Sequence, residues 1–154
     1  HFRWLTSFTH HPYGTAFPLE LPDNRSRHAF HNVTLSQFLK ITLQALRDRH
    51  PVYWEGDMRP VADCDPAIAA DATGMTASSI KKTAEARQRA FERFSTTDQH
   101  AMAIVGITSG RQPYLICKNS WGKHWNDNGF TLMSLRHFLL RTTFVGIPMT
   151  TNKL

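Results

Sequence analysis

The sequence predicts an α+β chain, an antiparallel sheet lobe with one or two packed helices, and three observations carry that expectation. One amphipathic segment, TLSQFLKITLQALRDRH (34–50), places Leu35, Phe38, Leu39, Leu43 and Leu46 at three- and four-residue spacing. A second stretch at about 80–93 is rich in the helix formers Ala, Arg, Glu and Gln. Four apolar, β-prone runs then crowd the part of the chain after Thr97, separated by Gly, Asn, Asp and Ser.

Taken in order, the chain to about residue 33 is dense in turn signals (HPYG, FPLELPDN) and reads as irregular, with short extended pieces such as Phe17–Leu21. The first helix has Thr34 or Ser36 to cap it and must stop before Pro51, because the residue ahead of a proline is driven out of the helical region. PVYWEGDM (51–58) is a short β-rich run ended by Gly56 and charge. Residues 59–77 offer little to bury and read as an extended surface loop. The later strands are expected at 100–108, 113–120, 129–135 and 142–148. All of this fits 1–154 as a single domain, or as one lobe of a larger one.

Composition narrows the function classes. The formal charge is +6, but the densest basic stretch, SSIKKTAEARQRAFERF (78–94), is interrupted by Glu85 and Glu92, which suits a solvated helix face better than a nucleic-acid surface. No run of about eighteen apolar residues exists, so no membrane span is expected. The N-terminus has no signal-peptide layout and no initiator Met, so the chain reads as part of something longer or as a processed product, and its compartment is unreadable. Two cysteines, Cys64 and Cys117, make no disulfide framework, and a single bridge between them stays open. His10–His11 and HAFH (28–31) lack a matching ligand pattern, read as solvated histidines, and no metal or other cofactor is expected.

The chemistry-bearing residues lie late in the chain. His100 opens one expected strand and Asn119 closes the next. Two antiparallel neighbours joined by the SGRQ turn bring both residues to the same end of a sheet. Ser120-Trp121-Gly122 follows, within KNSWGKHWNDNGF (118–130).

QHAMAIVGI and YLICKNSWGKHWNDNGF together resemble the His and Asn motifs of the papain-like cysteine peptidases, departing at Asn126, where a Gly is usual. The order LTSFTHHPYGT, a helix leading to PVYWEGDM, then RQRAFERFSTTDQHAM is similar to the bleomycin hydrolase and aminopeptidase C branch. The resemblance implies a papain-like fold and hydrolysis of peptide or amide bonds through an acyl-enzyme. It implies that His100 is the acid/base and Asn119 its orienting group, with Trp121 over their hydrogen bond and Gln99 and Ala101 bordering the substrate groove.

The family's nucleophilic Cys and upstream Gln have no counterpart here. Cys64 sits between two Asp residues that disfavour a thiolate, and Cys117 is placed inside a strand as a small buried hydrophobe. The expectation is the C-terminal part of a peptidase, inactive alone, whose partner is a Cys-bearing N-terminal segment of the same protein and whose ligand is a peptide substrate. An unpaired lobe of this kind is also expected to self-associate, as a homo-oligomer. The alternative is a non-catalytic peptide- or protein-interaction domain that keeps the peptidase fold. The chain ends at PMTTNKL, where that branch carries a longer tail, which leaves aminopeptidase action open.

Overall fold

The computed structural model describes residues 1–59 and 76–149. Eight strands and three helices follow in the order β1 (Phe2–Thr6), β2 (Ala16–Pro18), β3 (Ala29–Asn32), α1 (Leu35–Arg47), β4 (Val52–Gly56), α2 (Ala77–Glu92), β5 (His100–Ile107), β6 (Tyr114–Lys118), β7 (Phe130–Ser134), α3 (Leu135–Arg141) and β8 (Thr142–Pro148). The strands form one sheet in the order β2-β3-β1-β8-β4-β5-β6-β7, antiparallel at every pairing except β1 with β3. The α+β class holds; the helices number three among the described residues, where one or two were expected.

The helix at 35–47 forms because Thr34 completes a capping box with Gln37 and because Leu35, Phe38, Ala45 and Leu46 bury one stripe. That stripe packs on the inner face of the sheet, where Leu5, Val52, Trp54, Ile104, Leu115 and Val145 are all inaccessible to solvent. Trp54 can be buried whole because its indole N–H donates to Thr142 Oγ1 at 2.8 Å.

Three differences from the sequence reading have physical causes. The short extended pieces of the opening third are strands of the main sheet, and β1 sits near its middle, between β3 and β8. Its partner β8 lies at the other end of the chain, and Trp4 packs across Gly146, where any Cβ would meet its ring at 2.6 Å. The run expected to continue to Leu135 stops at Ser134, whose hydroxyl accepts from His137 N and caps the short helix α3. Finally, α2 starts earlier than expected, capped by Thr76, and its basic face is not wholly solvated.

Arg87 is that exception, only 1% exposed. It donates to the carbonyls of Ser7, Leu139 and Thr143, and its guanidinium lies 4.6 Å from the Phe8 ring centroid and 5.3 Å from that of Phe38. Burial lowers its pKa to about 9, against the pull of Tyr13. The residue staples α2 to β1 and the end of α3, an interior role that local spacing could not reveal. The rest of the expected loop, residues 60–75, lies outside the described residues, and with it Cys64.

Candidate active site

β5 begins at His100, and β6 ends at Lys118, one residue before Asn119. Their antiparallel pairing brings both residues to one end of the sheet, where His100 Nε2 and Asn119 Oδ1 are 3.0 Å apart. The backbone N–H of Ser120 donates to the same Asn119 oxygen at 2.8 Å, which assigns the amide: its oxygen, not its nitrogen, faces the imidazole. An oxygen there can only accept. The His100 proton therefore sits on Nε2, and Nδ1 keeps its lone pair with no hydrogen-bond partner among the described residues.

Asn119 is held by its surroundings. It is 3% exposed, and its backbone N–H donates to Gly129 O at 2.9 Å. Gly129 is required on two counts: its φ is +84°, and a Cβ would lie 2.8 Å from Gly122 O. The loop also turns at Asn126 and Asn128, with φ of 48° and 51°. Asparagine tolerates that region better than most side chains, so the departure from Gly at 126 keeps the turn, with Asn126 Nδ2 donating to Phe130 O at 2.6 Å.

Trp121 leans on the His100 ring with centroids 4.9 Å apart and planes at 50°, yet it remains 58% exposed. Trp125 meets Trp121 edge-on at 5.1 Å and is half-buried, so it belongs to this aromatic cover and not to the core. Ala101 is half-buried on β5 and pairs with Glu55 of β4. Gln99 is exposed, and its side-chain amide is tied down, donating to Asp57 Oδ1 at 3.0 Å.

Asp57 is the residue that sequence reasoning missed. It follows Gly56, the register partner of His100, and its side chain is fully buried. Gly56 itself must be glycine, because a Cβ would come within 2.3 Å of Arg141 O. Asp57 receives Thr97 N at 3.0 Å and Gln99 Nε2, and pairs with the Arg59 guanidinium. Its own carbonyl accepts from His137 Nε2 at 2.8 Å. Burial alone would raise its pKa, but Arg59, the Arg59 and Thr97 backbone N–H groups and the Arg59 charge hold it down at about 2. The only trace of this in the sequence is a charge ending a β-run, and burial cannot be read from that. Through Thr97 and Gln99, Asp57 anchors the segment that enters His100.

Cys117 faces the core with no exposure, and burial pushes its thiol up to about 12. It shares a face with Asn119 but has no hydrogen bond to His100. Among the described residues, one group could offer three ligand atoms to a metal: His10, His11 and Glu20. Those atoms are already engaged. Gln88 Oε1 accepts from Thr9 N at 2.6 Å, so its Nε2 donates to His10 Nδ1, at 3.0 Å. His10 then carries its proton on Nε2 and donates it to Glu20 Oε2 at 3.0 Å, while His11 approaches Oε1 at 3.3 Å. His10 is exposed and His11 half-buried, and through Gln88 His10 also ties the β1–β2 loop to α2.

No curated protein matches the chain. Among solved structures, PepW from Lactobacillus rhamnosis, determined as its selenomethionine derivative, is similar with a TM-score of 0.62 at 17% identity, over 94% of this chain and 35% of that one. That likeness is one of fold, and the chain spans about a third of PepW's length. The family described as papain family cysteine protease matches residues 59–142, more than half of the chain and the stretch that contains His100, Asn119 and Trp121. On that match the chain belongs to the papain family of cysteine proteases.

Proposed function

We propose that this chain is the His- and Asn-bearing, C-terminal part of a cysteine peptidase of the bleomycin hydrolase and aminopeptidase C type, whose nucleophilic Cys lies on an N-terminal segment of the same protein. The observation that carries this reading is the 3.0 Å bond from His100 Nε2 to Asn119 Oδ1, which leaves Nδ1 with its lone pair. A base held at one tautomer and one ring orientation is what a thiol nucleophile needs beside it.

In this reading the thiol proton moves to His100 Nδ1 and the thiolate attacks the scissile carbonyl carbon. The imidazolium then gives that proton to the leaving amine as the C–N bond breaks, and a thioester remains. Water, deprotonated by Nδ1, attacks the thioester; the acid departs and the proton returns to the sulfur. Asn119 holds the ring through both steps, and Trp121 keeps water off one side of the pair. Cys117 takes no part, because its thiol faces the core.

The test is release of a fluorescent amine from a peptide amide. This chain alone is expected to show no turnover, and adding the Cys-bearing segment is expected to restore it, with loss again in His100→Ala. Turnover by this chain without any added segment overturns the proposal.

A further inference from the structure

A pocket of about 270 Å³ lies beside the segment that leads into His100. Leu21, Pro22, Phe91 and Phe94 make its walls apolar, and Asp98 lines it two residues before the imidazole. The volume falls below the roughly 300–1,000 Å³ of sites for drug-sized ligands and suits one long side chain.

Its charge is one-sided. On a chain of net charge +6, the ionic residues around this pocket are Glu20, Glu92 and Asp98, and no lysine or arginine is among its described lining residues. Two of the three carboxylates are engaged: Glu20 by His10 and His11, and Glu92 by Gln88 Nε2 at 2.9 Å. Asp98 differs. Its Oδ2 is out of solvent and has no hydrogen-bond partner among the described residues. Burial raises its carboxyl above the usual range and the Asp23 charge adds to that, while the backbone N–H groups of Asp98 and Asp23 work against it. A carboxylate oxygen buried without a partner is costly unless a donor arrives with a ligand.

We infer that this pocket takes the side chain of a lysine or arginine in a peptide, with the methylene stem against Phe91 and Phe94 and the cationic head on Asp98. That the peptide is also the substrate rests on the peptidase reading; the binding itself requires no nucleophile. Asp98 stands two residues before His100, and on the peptidase reading the pocket selects basic residues near the scissile bond.

The experiment is a titration of this chain with Nα-acetyl-lysine amide and, separately, its uncharged isostere Nα-acetyl-norleucine amide, followed by amide NMR shifts. The lysine probe is expected to bind at least about tenfold tighter, one charge-assisted hydrogen bond's worth of discrimination, with shifts gathered at Phe91, Phe94 and Asp98. Asp98→Asn is expected to bring lysine down to norleucine's affinity, and Phe94→Ala, at a 74%-exposed position, to weaken both probes. Equal affinities for the two probes, shifts away from the pocket, or a folded Asp98→Asn that still discriminates overturns the inference. If Asp98→Asn does not fold, unchanged binding in Phe94→Ala overturns it instead. Selective binding without turnover in the longer protein refutes the peptidase reading and leaves the pocket standing; turnover without selectivity does the reverse.

Discussion

Asn119 Oδ1 accepts two hydrogen bonds, from His100 Nε2 at 3.0 Å and from the Ser120 backbone at 2.8 Å, and the second determines the meaning of the first. Without the Ser120 contact, the amide could turn its NH2 toward the ring and reverse the tautomer.

That relationship predicts a spectroscopic signature. In this chain the neutral His100 ring is expected to populate the Nε2–H tautomer almost alone, and Asn119→Ala to mix the two. Ring 15N shifts read this directly, and an unchanged tautomer in Asn119→Ala contradicts the orienting role. On the proposed function, His100→Ala in the longer protein is expected to lower kcat/KM by about 10²–10⁴-fold, the range that general acid–base catalysis supplies.

Asp57 predicts an acid transition. Its carboxyl titrates at about 2 in the folded chain, against 3.8 ordinarily, so the unfolded state binds the proton first. The stabilisation is complete above about pH 5 and is lost progressively as pH falls through 3.8 toward 2 and below, a difference of about 2 kcal/mol. Asp57→Asn is expected to be less stable at neutral pH and flatter across that window. Urea titrations at pH 5, 4, 3 and 2.5 measure it, and parallel losses in both proteins contradict it.

Arg87 predicts a stability loss that lysine does not rescue. Arg87→Ala opens a cavity against Phe8 and Phe38 and removes the donors to Ser7 O and Leu139 O, whereas Thr143 O keeps Thr6 Oγ1 at 2.7 Å. The cost is expected to be about 3 kcal/mol or more. Arg87→Lys is expected to recover little, because a point ammonium cannot span the separate carbonyls that a guanidinium reaches. Chemical denaturation of the three proteins decides it.

Cys117 predicts inertness. With no exposure and a thiol pushed up to about 12, it is expected to resist iodoacetamide at pH 8 until the chain unfolds. Peptide mapping by mass separates its labelling from that of Cys64, and rapid native labelling of Cys117 contradicts its place in the core.

The sequence by itself determined the parts governed by local periodicity and spacing. The amphipathic face of α1, the strands bearing His100 and Asn119, the turn between them and the glycine-and-asparagine loop beyond all depend on residues a few positions apart. Only the tertiary structure placed β1 beside β8, buried Asp57 and Arg87, and oriented the Asn119 amide. Each of those depends on groups brought together from distant parts of the chain, or on which of two nearly identical amide atoms finds a donor. Burial and hydrogen-bond partnership belong to the packed molecule, whereas residue order records only what neighbours along the chain can do.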